Sequence, residues 1–460
     1  MTGILRLAVI GLVVLGLGIG IFVVALPHPA YALTDDQKAA LRAEYDQLQQ
    51  EIAQWQKVLD DTRAKKSSLQ GDVTALNAQI AKATAEIKQR NTTITTLASE
   101  INEKSAQIST LEDQIDQGKE SLAKLLRQKH ESETQSLVIM ALSSQNLSSF
   151  FSDVSTIDSI DKKLQDLFAQ LRSTKDETQK EKDDLAQKKN AEQDAKHEVE
   201  VKKTEVAATQ AQKKELLTET TQQEKSYAQV LAERQAKAEE IRSALFDLRD
   251  TQGISFGTAL DYATAASVKT GVRAAFILAI LSQESDLGKN IGSCYVSNID
   301  TGDGVGKNTG TAYEKVMKAP RDTVPFQTIT ASVNLSWSTT PVSCPLGYKY
   351  SSSRGYGGAM GPSQFIPSTW QLYASRIEAA TGFTTANPWD PRDSIMATAL
   401  YLDDLGAGTQ SYSAERNAAC KYYSGRSCDS KSPPNAAYGN SVVAKADTYQ
   451  QSINYLNNPQ

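Results

Sequence analysis

From Asp35 to about His130, apolar residues recur at spacings of four and three. They are Leu41, Tyr45, Leu48, Ile52, Trp55 and Leu59, then Leu69, Val73, Leu76, Ile80, Ala83 and Ile87, then Ile94, Leu97, Ile101, Ile108, Leu111, Ile115, Leu122 and Leu125. This is a coiled-coil heptad pattern. No proline stands between Pro29 and Pro320, and Gly71 and Gly118 are the only glycines in the run, so one uninterrupted helix is predicted across it. A second heptad run opens with Ile157, Ile160, Leu164, Leu167 and Leu171. It thins through Leu185, Val199, Val206 and Leu216, then recovers at Tyr227, Val230, Ile241 and Leu245. Between the runs, Ser-Leu-Val-Ile-Met-Ala-Leu-Ser-Ser-Gln-Asn-Leu-Ser-Ser-Phe-Phe is a short apolar segment with turn residues. Near-equal runs about a short break predict an antiparallel hairpin over residues 35–249 with its tip at about 131–155. Each arm would reach on the order of 140 Å at about 1.5 Å per residue. The polar middle of the second arm is where a bend is expected. On pattern alone, a passive spacer accounts for such a hairpin.

At Asp250-Thr-Gln-Gly-Ile-Ser-Phe-Gly the heptads end and Gly, Pro and Tyr rise, which places a domain boundary there and a second, helical domain over 252–460. Within it, Val272 to Gly288 reads as an almost wholly apolar helix that turns polar only at Gln283, Glu284, Ser285 and Asp286, with Gly288 as its stop. Steps of four and three from Ile277 reach Leu281, Glu284 and Gly288, so Glu284 continues the buried stripe. A carboxyl group against an apolar wall has its charged form disfavoured and is suited to donating a proton near neutrality. Taken alone, such a Glu is more simply a solvated residue in the last turn of a core helix.

Composition narrows the reading. The 460 residues exceed one ordinary core. The net charge of −5, with both signs interspersed, excludes the basic footprint of a nucleic-acid binder. His28, His130 and His197 are the only histidines and lie outside the C-terminal domain, so neither a histidine triad nor a histidine-rich zinc site is expected there. Neither a metal nor an organic cofactor is implied. All four cysteines lie in that domain. Disulfides are expected, and of the three pairings Cys294 with Cys344 and Cys420 with Cys428 are favoured, because each pair brackets one loop-like segment. Such bridges imply an oxidising compartment. Residues 1–33 agree: Arg6, an apolar run from Leu7 to Leu26, then Pro27, Pro29 and Ala30-Tyr31-Ala32 form a secretory signal or an uncleaved membrane anchor. The rest of the chain is then expected in the cell envelope or secreted.

Gly355 to Trp370, Gly-Tyr-Gly-Gly-Ala-Met-Gly-Pro-Ser-Gln-Phe-Ile-Pro-Ser-Thr-Trp, is a second informative stretch. Its glycines permit close backbone approach to a ligand, Gln364 can both donate and accept, and Pro367 pre-sets a helix start. The spacing fits neither a dinucleotide nor a P-loop fingerprint.

Glu284-Ser285, Gly358-Ala-Met-Gly-Pro-Ser-Gln-Phe-Ile-Pro-Ser-Thr-Trp, Asn387-Pro-Trp-Asp-Pro-Arg-Asp-Ser-Ile and Lys421-Tyr-Tyr-Ser-Gly follow in that order. Together they resemble the lytic transglycosylases of bacterial cell walls, which have a lysozyme-like α-helical fold. The resemblance implies that fold for the C-terminal domain, and with the hairpin read from the heptads the fold class is all-α, a long antiparallel coiled-coil hairpin followed by a lysozyme-like domain. It also implies cleavage of the N-acetylmuramic acid to N-acetylglucosamine bond in peptidoglycan, closing a 1,6-anhydro ring. Glu284 matches the family's acid and base, Ser285 the hydroxyl residue beside it, Gln364 the glutamine of the Gly-rich loop and Tyr422 the tyrosine of the last motif. Substrate contacts are expected from these and from Tyr356, Gly358, Met360 and Tyr423. Ser363 stands where many members have Met, and Tyr423 and Ser424 where Asn and Ala are usual. The segment from Cys294 to Arg354, with a helix-like piece from Asp322 to Leu335, is an insertion relative to the shortest members, read here as a disulfide-pinned wall of the glycan groove.

Asp286, Asp390 and Asp393 are the candidates for a second carboxylate. Asp286 is expected to point away from Glu284, and Asp390 and Asp393, flanking Pro391, to cap a helix. Of the aromatics Tyr356, Trp370, Tyr401, Tyr422 and Tyr423, Tyr356 and Tyr422 are the two favoured for sugar contact, although any one aromatic is more often core.

The hairpin tip, Leu137 to Asp161, resembles that of coiled coils attached to division-associated peptidoglycan hydrolases. This implies docking on a membrane complex of the FtsE–FtsX type and assigns Leu147, Phe150 and Phe151 to partner binding or to packing within the tip. Two other readings stay open: a hydrolytic muramidase of goose-lysozyme type, and a scaffold that binds glycan without cutting it.

Overall fold

The computed structural model describes residues 34–63, 68–133, 147–222, 253–345, 355–431 and 434–457, with a few isolated positions between 229 and 236. The described chain is mostly helical: a long antiparallel helix pair followed by a helical domain.

The first heptad run is not one helix. It divides into α1 (Asp35–Arg63) and α2 (Leu69–Glu133), and the reason is local. Between Leu59 and Leu69 there is no large apolar residue to hold the seam, and Ser68 opens α2 by accepting from the Gly71 amide through Oγ, at 3.1 Å. Helix α1 folds back along α2, so that Lys82 Nζ donates to Gln56 Oε1 at 2.7 Å. Helix α3 (Leu147–Gln222) lies along α2 in the opposite sense. Lys129 pairs with Asp161, Lys104 with Glu181, Arg90 with Glu198 and Lys202 with Glu86, a steady antiparallel register. Ala78, Ala83 and Ala85 are among the most buried residues of α2, because α1 and α3 both approach that stretch and only small side chains fit between them. At about 1.5 Å per residue, α2 and α3 reach roughly 100 and 115 Å. The polar middle of the second run lies within one continuous helix. Residues 1–33 and 134–146 lie outside the described residues, so the apolar leader and most of the tip do too. Leu147, Phe150 and Phe151 fall in the first turns of α3. No helix among the described residues is long and apolar enough to cross a membrane.

The C-terminal part begins with α4 (Phe256–Thr270), capped by Ser255 and ended by Gly271. Helix α5 (Ala274–Ser285) is buried on every side from Ala275 to Leu281, as an all-round apolar sequence requires. Helices α6 (Thr323–Ser332), α7 (Pro367–Thr381), α8 (Pro391–Asp404), α9 (Tyr412–Ser424) and α10 (Ala436–Asn457) complete the helical set. Between α5 and α6 lies a small antiparallel sheet, β1 (Cys294–Val296), β2 (Gly304–Gly306) and β3 (Ala312–Tyr313), in that order. Strands of two or three residues are too short for alternation to show in sequence. The Cys294–Cys344 and Cys420–Cys428 disulfides are both formed.

Two apolar cores result. One gathers α4, α5, α8 and α10 around Phe276, Leu278 and Leu281. The other joins α6, α7 and the Gly-rich loop around Phe326, Met360 and Trp370. Leu400 and Tyr422 pack against both, so the seam between the cores runs beside the end of α5.

Candidate active site

Glu284 is the next-to-last residue of α5 and only partly buried, where the helix leaves the core. The helix stops at Ser285, earlier than Gly288. Asp286 and Leu287, both at φ 52°, turn the chain in the left-handed region before Gly288 does. A bulky residue there is uncommon, and the turn is tied down by Ser285. The Ser285 hydroxyl donates to the Pro362 carbonyl at 2.7 Å and accepts from the Gly288 amide at 2.9 Å. Ser285 therefore fastens the end of the acid-bearing helix to the Gly-rich loop.

That loop is a tight turn in which Met360 and Phe365 form a backbone bridge. Gly361, at φ 59°, lies so close to the Pro388 carbonyl that a Cβ would sit 1.9 Å from its oxygen, so no other residue fits. Ser363 is fully buried. Its hydroxyl donates to the Ser394 carbonyl at 2.6 Å, it accepts from Thr398 Oγ1, and its own carbonyl accepts from Tyr422 at 2.7 Å. The hydroxyl thus has a structural reason: it joins the loop to α8. Gln364, at φ 53°, donates to the Gly361 carbonyl at 2.8 Å.

The group that touches Glu284 is Tyr438, in the first turn of α10, whose hydroxyl donates to Glu284 Oε1. Burial pushes the Glu284 carboxyl above its ordinary range, and the Tyr438 hydrogen bond pulls the other way. Burial and the neighbouring carboxyl raise Tyr438 far above its ordinary value, so it remains a donor. Tyr423 stacks on Tyr438 with ring centroids 4.7 Å apart and stays half exposed, presenting an aromatic face beside the acid. Tyr422 is held well above the ordinary tyrosine range by burial and by Glu284.

The start of α10 is positioned by the second disulfide. A Cβ at Gly439 would lie 2.5 Å from Cys420 Sγ, and buried Asn435 donates through Nδ2 to Ser424 Oγ and to the Arg426 and Ser427 carbonyls. At the other end of α5, Arg273 makes a bidentate pair with buried Glu415 of α9, at 2.9 and 2.6 Å.

The structure brings Glu284, Ser285, Gln364, Tyr422 and Tyr423 to this seam. Met360 is fully buried core, Trp370 is core against Phe365, and Tyr401 joins the aromatic cluster of Phe365, Tyr373 and Tyr422. Gly358, at φ 91°, packs on Met317, and Tyr356 is exposed at the loop's beginning. Asp286 is exposed near Lys289, Asp390 caps α8, and buried Asp393 accepts from the Asn387 amide and from Arg392. Tyr438 has no advance signal in the sequence except Gly439 beside it, which marks close packing. Among the described residues, no group of three or more His, Cys, Asp or Glu side chains gathers to hold a metal.

No family model matches the chain, and no curated protein matches it. Among solved structures it is similar to the soluble lytic transglycosylase SltB1 from Pseudomonas aeruginosa, at 19% sequence identity and a TM-score of 0.24, over 42% of this chain and 65% of that one. The chain thus spans just under two thirds of the length of that protein.

Proposed function

We propose that the chain is a peptidoglycan lytic transglycosylase whose C-terminal domain, from about residue 252 and of lysozyme-like type, cuts the N-acetylmuramic acid to N-acetylglucosamine bond. The observation that carries the reading is Glu284: one carboxyl held above its ordinary pKa by burial and hydrogen-bonded to a tyrosine, with Asp390 and Asp393 engaged at the start of α8 and Asp286 exposed. A hydrolase of the two-carboxylate kind needs a second acid to act as nucleophile or to activate water. A single carboxyl can serve alone when the substrate supplies the nucleophile.

In this mechanism Glu284 in its protonated form, which burial favours, gives its proton to the bridging oxygen as the C1–O bond of the muramyl sugar breaks. The Tyr438 hydroxyl stabilises the carboxylate that remains. Glu284 then takes the proton from the same sugar's C6 hydroxyl while O6 closes on C1, so a 1,6-anhydro ring forms, Glu284 regains its proton and no water is consumed. The Ser285 bridge and the Tyr422 bond hold the Gly-rich loop against the acid, and Gln364 offers the glycan its carboxamide. Tyr423 supplies a stacking face. The two disulfides support an extracytoplasmic location.

The test is mass spectrometry of products released from purified sacculi by the full chain and by its Glu284→Gln variant. Anhydromuropeptides that disappear in the variant are expected. Reducing-end products would establish a hydrolytic muramidase instead, and the same products from both proteins would remove Glu284 from the chemistry.

A further inference from the structure

At the opening of the Gly-rich loop, six residues before Pro362, Tyr356 is 42% exposed. Two cations face its ring: Lys315 Nζ lies 5.7 Å from the centroid and Lys318 Nζ 5.8 Å. Neither ammonium group enters an ion pair among the described residues. Asp303, on the neighbouring strand turn, accepts from the Lys315 amide at 3.0 Å and the Thr301 hydroxyl at 2.7 Å. In a chain of net charge −5, two like charges gathered on one exposed ring need a reason. Each cation gains little from an exposed tyrosine face, and the pair repel each other. An anion between them would turn that repulsion into attraction.

The cluster is also built in advance. Lys315 sits at φ 61°, uncommon for a non-glycine residue, and its carbonyl accepts from the Gly357 amide at 3.2 Å. The Met317 amide donates to the Gly302 carbonyl, the Gly358 amide to the Ser343 carbonyl and the Ala359 amide to Ser343 Oγ, all at 2.8 to 2.9 Å. Cys344, next in the chain, is bonded to Cys294. Both lysines and the tyrosine thus ride on cross-tied backbone, which lowers the ordering cost of binding. From Tyr356 to Pro362, whose carbonyl Ser285 holds, the chain can span at most roughly 20 Å, which keeps the cluster within the length of a few sugars of the end of α5.

We propose that Tyr356, Lys315 and Lys318 form a subsite for a hexosamine that carries a carboxylate, its ring lying on Tyr356 and its carboxylate between the two ammonium groups. This deepens the function proposed above and rests on it: of the two alternating sugars, only the muramyl one bears a lactyl group, whose carboxylate is free on strands from which the stem peptide has been removed, and such denuded glycan is the ligand the subsite would take. The subsite would thereby set which sugar of the strand occupies it, and so the register of the strand over Glu284.

The test uses the full chain carrying Glu284→Gln, so that binding is read without turnover. Calorimetry would compare a neutral N-acetylglucosamine oligomer with an equally long muramic acid oligomer free of stem peptide. The acidic oligomer is expected to bind roughly tenfold more tightly at low salt, with the margin shrinking as salt rises. Adding Lys315→Gln and Lys318→Gln should abolish the margin while leaving the neutral affinity in place. Lys315→Arg with Lys318→Arg should restore it, which a merely structural role would not produce. Tyr356→Ala should weaken both oligomers. Equal affinities for the two oligomers, no binding of either, an equal loss for both in the glutamine variant, or lysine-dependent binding of the stem peptide alone would each overturn the proposal. If sacculi show no Glu284-dependent product, the enzymatic reading fails on its own, since these affinities do not depend on turnover.

Discussion

Replacing Tyr438 by Phe removes the hydrogen bond to Glu284 and nothing else of comparable size. That bond favours the charged carboxylate, so without it the Glu284 pKa rises further. The acid must be protonated to act, and the alkaline limb of kcat/KM should therefore move to higher pH in Tyr438→Phe. At the same time kcat should fall roughly 10- to 100-fold, because a hydrogen bond to a charged group contributes about 1.5–3 kcal/mol. A pH profile of sacculus turnover checks both. An alkaline limb that moves down would mean that Tyr438 acts on the neutral form. Glu284 itself is legible in the sequence, because a carboxylate in phase with an apolar stripe is an anomaly that pattern alone exposes. Tyr438 is not, since 154 residues separate it from Glu284 and no periodicity reports a contact made by tertiary folding.

At the scale of elements, the helices were legible where burial imposes a period. Helix α5 and the α2–α3 pair follow their apolar positions. The division of α1 from α2 was visible only as the gap between Leu59 and Leu69, where the heptad lacks a large side chain. The short strands β1 to β3 had no period to show. The disulfides staple the segments least held by helix packing, and their loop lengths separate them. Cys294–Cys344 spans 50 residues and Cys420–Cys428 spans 8. In the chain-entropy account, closing them stabilises by about 4 and about 2.5 kcal/mol respectively. Paired Cys→Ser variants followed by urea unfolding should reproduce that order. The functional order should be the reverse: Cys420 packs on Gly439, next to Tyr438, so loss of the shorter bridge should lower kcat on sacculi more than loss of the longer one. Equal kcat values would show that α10 keeps its place without the bridge.

In the whole molecule, the hairpin is fastened to the helices that surround Glu284. Asp194 of α3 accepts from the Ser413 amide at 2.5 Å and from its hydroxyl at 3.0 Å. This adds a carboxylate to the N-terminal turn of α9, where amide groups lack helical partners. One turn further along α3, His197 stacks on Tyr412 at 4.2 Å and lies 3.3 Å from Asp447 of α10. Helix α9 carries Tyr422 and α10 carries Tyr438, so the arm grips the pair of helices on which the site is built. Most ion pairs along α2 and α3 are exposed and contribute little each, whereas this contact buries Ser413 and Ala195. Asp194→Ala leaves the Ser413 amide without its acceptor while the Ser411 cap on the Ala414 amide stays, a loss of about 0.5–2 kcal/mol by analogy with helix capping. Local opening should ease accordingly, and amide hydrogen exchange at residues 412–415 should quicken roughly 3- to 30-fold, while α2 exchanges as before. Exchange at those amides that is the same in Asp194→Ala, His197→Ala and the unaltered chain would mean that the arm does not hold the domain there in solution.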